Sequence, residues 1–218
     1  MQQDWDIFWS TLEKKGHPYS KVLSFYRTQI IARAVNHYIN KHFYPRGIFV
    51  ECGAGKSETT AKTRKESRTL VALDYSAYVL RKTTSNPMID SCINADTLAL
   101  PLRAGSVDGI WNVGVMEHFN EDDIDVILRE FRRVLRCGGK VILLWPLVYA
   151  PWEIFVYVVE FFVNIFSRTR FQFYPDEVSR LKSKNAGRRI IEKNKFRDVR
   201  VYFNFRDAFS FAVVVATK

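Results

Sequence analysis

Residues that oxidise or ligate metals are scarce in this chain of 218 residues, which has three cysteines and four histidines. Cys52, Cys92 and Cys137 are odd in number, and their spacings fit no zinc pattern, so neither a disulfide framework nor a metal site is expected. No leader-like order of basic, apolar and small residues opens the sequence, and a reducing, cytoplasmic setting is therefore expected. There is no internal repeat and no low-complexity tract. Ten glycines and seven prolines are too few for a collagen-like or Pro/Gly-rich disordered chain. The most apolar stretch follows Pro151 and is interrupted by Glu160, so no transmembrane span is expected. What is present is ordinary globular material, with 47% hydrophobic and 15% aromatic residues. The length suits one domain with a substantial core.

Charge is not spread evenly. The net charge is +10, yet residues 48–150 carry 13 basic and 13 acidic side chains. Residues 1–47 carry 7 basic against 3 acidic, and residues 151–218 carry 13 against 7. The surplus therefore lies in the flanks, as a solvated basic face or a surface for phosphate-bearing or membrane partners.

Residues 4–42 have helical spacing, with Trp5, Phe8, Trp9 and Leu12 first and Val22, Leu23, Tyr26, Ile30 and Ile31 next. Gly16-His17-Pro18 separates the two segments. From residue 48 the pattern alternates. Strands are predicted at 48–52, 69–74, 88–94, 107–114 and 140–145. Helices are predicted from the glycine turn to about Arg68, at 76–83 and at 121–136, with Cys137-Gly138-Gly139 stopping the last. That alternation predicts an α/β doubly wound sheet with helices on both faces. A helix over 176–194 leads to runs at 198–205 and 209–217, joined by so short a turn that they must be antiparallel.

The chemistry concentrates in "ECGAGKSETT", residues 51–60. A phosphate-binding P-loop ending at Gly55-Lys56-Ser57 needs its first glycine at position 50, which is Val50 inside the strand. The dinucleotide fingerprint needs a third small residue at position 58, which is Glu58. What remains is acidic-x-Gly-x-Gly. With Asp74 ending the second strand, "NADTLALPLRAGSVDGIWNVGVMEHF" at 94–119 and "LREFRRVLRCGGKVILLWP" at 128–146, the chain resembles the class I S-adenosylmethionine-dependent methyltransferases (type 11-like). The resemblance implies a Rossmann-like seven-stranded sheet, mostly parallel with an antiparallel last strand. It also implies S-adenosylmethionine as cofactor, held by Glu51, Gly53, Ala54, Gly55, Asp74, Tyr75, Asp96, Thr97, Asn112 and Val113. Glycines let backbone approach the ligand, Asp74 accepts from ribose hydroxyls, Asp96 accepts from the adenine amino group, and Glu51 stands near the sulfonium and amino end.

Methyl transfer is an in-line displacement that mainly requires alignment, with a base where an oxygen or nitrogen acceptor must lose a proton. His118, next to Glu117, is the first candidate base, and His17 and Tyr19 are further ones. The stretch Asn112-Val113-Gly114-Val115 lacks the Pro-Pro-aromatic pattern of base-amino methylation, and no aromatic-basic nucleic-acid module is visible. The expected acceptor is a small molecule, possibly sugar- or lipid-linked. Residues 146–174 form an insertion that, as a helix, puts Glu153, Tyr157, Glu160 and Asn164 on one face and Ile154, Phe155, Val158, Val159, Phe161, Phe162, Ile165 and Phe166 on a broad apolar face. It reads as a lid, as a homodimer contact, or as a peripheral membrane helix over 152–166. The expected organisation is one domain, with a helical cap (1–47), a cofactor core (48–145), the insertion (146–175) and a C-terminal helix and hairpin (176–218). An NAD-binding oxidoreductase and an inactive cofactor-binding module acting through a protein partner stay open as alternatives.

Overall fold

The structure is a computed structural model that describes residues 5–14, 24–148, 150, 154, 158, 161, 164–165, 177–203 and 205–218. His17, Tyr19 and most of the 146–174 insertion lie outside the described residues. Seven strands, β1 (Arg46–Cys52), β2 (Ser67–Asp74), β3 (Ser91–Asn94), β4 (Val107–Val113), β5 (Leu135–Pro146), β6 (Arg197–Tyr202) and β7 (Phe211–Thr217), form one sheet. Their order is β3-β2-β1-β4-β5-β7-β6. The first five run parallel. β7 is antiparallel to both neighbours. The expected doubly wound sheet with its reversed last strand is present.

The helices are α1 (Trp5–Lys14), α2 (Ala32–His42), α3 (Ala77–Thr83), α4 (Glu121–Val134) and α5 (Lys184–Lys193). A π-helical turn, Tyr26–Ile31, runs into α2. Strand alternation sorts the core into two layers. Val50, Cys52, Ile110, Val141 and Leu143 face α4 and α5, where they meet Ile124, Ile127, Leu128, Phe131 and Ile191. Phe49, Leu70, Trp111, Ile142 and Leu144 face the other way, toward Tyr26, Ile31, Val35, Tyr38 and Ile39. Each such large side chain, fully buried, contributes roughly 1.5–3 kcal/mol.

Local chemistry sets the element ends. Asn120 caps α4 by accepting from Asp123 N at 2.9 Å, and acids fill the first turn while Arg132 and Arg133 fill the last. Ser76 caps α3 by accepting from Val79 N. Three predicted boundaries need correction. The glycine turn leads into no long helix. Glu58–Thr60 makes one 3₁₀ turn, and irregular chain continues to Ser67. Ser57 sits at φ +50°, Thr60 Oγ1 donates to Ser57 O, and Asn86 Nδ2 donates to both Ser57 O and Thr60 Oγ1. Side chains thus take the backbone groups that a helix would use. Secondly, α4 ends at Val134, and Cys137-Gly138-Gly139 lies within β5, across from the β4 irregularity between Val107 and Gly109. Thirdly, helix α5 starts only at Lys184, because Leu181 pairs with Leu147 as an isolated bridge.

Candidate functional site

A cavity opens at the carboxyl edge of the parallel strands, where the order reverses between β1 and β4. The end of β1 contributes Glu51, Gly53, Ala54, Gly55 and Lys56 to its wall. The end of β2 contributes Asp74 and Tyr75, and the chain after β3 contributes Ala95 and Thr97. Beyond β4 come Val113, Gly114, Val115, Glu117, His118 and Phe119. Trp5, Phe8 and Trp9 of α1, with Tyr26 and Arg27, cover it.

The glycine turn is a tight backbone approach. Gly53 sits at φ +67°, and a Cβ there would come within 2.4 Å of Val115 Cγ2. Gly55 sits at φ +52°, and its Cβ would meet Trp9 Cζ2 at 3.0 Å. Only glycine accepts both the left-handed backbone and the missing space. Asp74 reinforces the turn by accepting from Gly55 N at 2.7 Å and from Ser76 N at 2.8 Å. Its carboxyl lies above the usual aspartate range because burial outweighs those backbone hydrogen bonds. A carboxylate has about four acceptor sites, so two remain for a ligand.

Glu51 is the most perturbed acid. It is 2% exposed, and Oε1 accepts from Thr59 Oγ1 at 2.6 Å. Its Oε2 is buried without a partner. Burial raises its pKa to about 7, against hydrogen bonding that favours the anion and with the Asp74 charge adding to the rise. Ser57 Oγ and Trp111 Nε1 face this carboxylate and favour its charged form, yet neither reaches hydrogen-bond geometry with it. Cys52, one residue on, is pushed far up by burial and then by the Glu51 and Asp74 charges, so it is no thiolate nucleophile. His118 stands at the cavity wall with Nε2 3.9 Å from Glu117 Oε1, and its ring meets Trp5 edge-on at 5.0 Å.

Helix α1 is fastened across the mouth. Ser76 Oγ and Tyr78 N both donate to Asp6 Oδ1 at the start of α3. Arg27 lies over the Trp9 ring at 5.8 Å and pairs with Glu58 at 3.7 Å. Ser24 Oγ donates to the same Glu58 carboxylate at 2.7 Å.

Eight of the ten residues predicted to hold a cofactor line this cavity: Glu51, Gly53, Ala54, Gly55, Asp74, Tyr75, Thr97 and Val113. Asp96 does not; it is half-buried beside the cavity and accepts from Leu98 N at 2.9 Å. Asn112 does not either. Successive strand residues face opposite sides, so with Val113 in the wall Asn112 points to the α4 face. Both of its amide atoms are buried there without a hydrogen-bond partner. Thr59, Val115 and the α1 aromatics were missed by sequence reasoning. Among the described residues no group of histidine, cysteine and acidic side chains could hold a metal ion.

The wall fits a ligand with hydroxyls and positive charge better than one with phosphates. Its deepest polar side chains, Glu51 and Asp74, are carboxyls that only accept once ionised, and a cationic ligand favours that ionised form. The 3₁₀ turn after Gly55 provides no helix N-terminus of the kind that binds pyrophosphate.

The chain is similar to known proteins in part of its sequence and in its fold. Residues 50–143 match the family model described as a methyltransferase domain. A SAM-dependent methyltransferase from Archaeoglobus fulgidus superposes with TM-score 0.69 at 12% identity, over 93% of this chain and 100% of that one. A SAM-dependent methyltransferase from Thermotoga maritima gives TM-score 0.63 at 17% identity, over 96% and 99%. A Bordetella parapertussis protein described as a possible exported protein gives TM-score 0.65 at 18% identity, and the chain spans 66% of its length. Among curated proteins no sequence matches.

Proposed function

We propose that this chain, whose residues 50–143 are a methyltransferase domain on the class I fold, methylates an oxygen or nitrogen atom of a small molecule. S-adenosylmethionine, the cofactor of such a domain, supplies the methyl group on a sulfonium when bound. The observation that carries the reading is the pairing of the buried carboxyls of Glu51 and Asp74 with His118 in one aromatic-roofed cavity.

Each residue then has a task. Gly53 and Gly55 let the turn pass close under Val115 and Trp9, which holds its backbone at the cavity wall. Asp74 offers its remaining acceptor sites to hydroxyls, and Glu51 Oε2 offers a buried acceptor to a cationic group. Trp5, Phe8 and Trp9 exclude water above the turn, which strengthens these contacts. His118 takes the acceptor's proton, with the Glu117 carboxylate 3.9 Å from its Nε2 to stabilise the resulting imidazolium. Exclusion of water and alignment do most of the work, since displacement at an activated methyl carbon needs little else.

A thermal-shift panel with S-adenosylmethionine, S-adenosylhomocysteine, ATP and NAD tests the cofactor. Stabilisation by the first two is expected, and stabilisation by NAD alone would sink the reading. Labelled methyl donor offered with pools of alcohols, sugars, amines and lipids tests the reaction. Tight cofactor binding with no transfer to any pool would make the domain a binding module.

A further inference from the structure

Three chain segments meet at the carboxyl end of β5, and each exposes apolar side chains beside the cavity. The β6–β7 hairpin presents Phe203, Phe205 and Phe209, at 39%, 70% and 39% exposure. It is tied to the end of β5 through Leu147 N, which donates to Ser210 O at 3.4 Å. Residues 177–183 run alongside, with Leu181 N donating to Pro146 O at 3.1 Å and Val148 N to Leu181 O at 3.2 Å. They expose Val178 at 66%.

The third segment continues from β5. Ile154, Val158, Phe161 and Ile165 are helical and exposed at 54%, 48%, 64% and 55%. Their spacings of four, three and four are those of one helical face. Scattered apolar residues on a surface are normal; a helical stripe and an aromatic hairpin rooted on one strand end are not.

Charge selects the occupant. The Arg206 guanidinium lies over the Phe205 ring at 5.3 Å, and Lys182 and Lys184 are exposed just beyond Leu181. They belong to the flank with 13 basic and 7 acidic residues, in a chain of net charge +10. Aromatic and aliphatic side chains with basic ones among them suit the headgroup and acyl boundary of an anionic bilayer. A second copy of the chain would bring the same positive charge to the contact.

We infer that the rim formed by Phe203, Phe205, Phe209, Val178 and the 154–165 stripe docks on an anionic lipid surface. Pro146 and Phe211, at the roots of these segments, also line the cavity, so docking brings the cavity mouth to the membrane. Docking does not depend on methyl transfer.

The test is flotation of the whole chain with vesicles of phosphatidylcholine alone and of phosphatidylcholine with phosphatidylglycerol. Flotation with the second kind only, weakened by salt, is expected. A variant carrying Ile154→Gln, Phe161→Gln and Phe205→Ser should lose at least about tenfold in vesicle affinity. These side chains are exposed, so its thermal unfolding should stay near that of the parent. Three results would overturn the inference: no flotation with anionic vesicles, equal flotation of the folded variant, or a dimer by light scattering that the same three changes dissociate.

Discussion

Glu51→Gln should remove a pH dependence of folding stability that the buried carboxyl builds in. The Glu51 pKa rises from 4.5 to about 7 in the folded chain, chiefly through burial. Below pH 4.5 the group is protonated in both states and costs little. Between 4.5 and 7 the unfolded chain releases its proton while the folded chain keeps it, so stability falls as pH rises. Two and a half pH units at 1.36 kcal/mol each come to about 3 kcal/mol lost by pH 8. Glutamine does not titrate. It keeps the Thr59 hydrogen bond through its carbonyl but buries an amide, at a cost of roughly 1–3 kcal/mol. The variant should be less stable than the parent at pH 4.5, and the difference should shrink or reverse by pH 8. Urea titrations of both proteins from pH 4.5 to 8 read this directly. Asp207, also raised to about 6 by burial, acts with the same sign in both proteins and cancels in the comparison. Parallel stability curves would refute the reasoning. A cation bound against Glu51 would favour the anion, so S-adenosylmethionine should bind more tightly as pH rises toward 8, releasing a proton that calorimetry in two buffers detects.

Gly53→Ala should destabilise the chain by at least about 2 kcal/mol, from the left-handed backbone and the overlap with Val115 Cγ2, and adding Val115→Ala should recover part of it by urea denaturation. Asp74→Ala leaves Gly55 N and Ser76 N without their acceptor, and cofactor affinity by calorimetry should fall at least about tenfold; unchanged affinity removes Asp74 from the site. His118→Gln should lower kcat by about a hundredfold while cofactor affinity stays within about twofold; unchanged kcat leaves His118 as wall only. Below pH 6.5 His42, whose pKa burial and then nearby cations lower to about 4, makes the fold lose stability as pH falls, and His42→Phe should flatten that limb.

The sheet was readable because its evidence is local and repeated. Short apolar runs alternate with helical spacing from residue 48 onward, and two runs too close for a crossover require the reversed strand. The glycine turn and its two acids were readable for the same reason, as each ends a strand. Two failures have local causes. The polar stretch after Gly55 has helix-compatible residues, but the side chains of Thr60 and Asn86 take the Ser57 carbonyl instead. Asn112 and Val113 were both placed at the cofactor, although a strand cannot turn neighbours to one side. A helical cap over residues 1–47 was expected, but the side chains with which it meets the turn were not. Trp9 shows its helical spacing in the sequence, but its partner Gly55 is 46 positions away, and only the fold joins them.

On the proposed reading, that contact would gate the site. Trp9, 9% exposed, packs on Gly55, and Asp6 ties the same helix to the start of α3. A methyl donor seated against this turn would have to displace the helix to load and to leave. The rate of that opening would then set an upper bound on turnover that no improvement in chemistry could exceed. Indole fluorescence of Trp5 and Trp9, read in stopped flow as ligand arrives, would clock it.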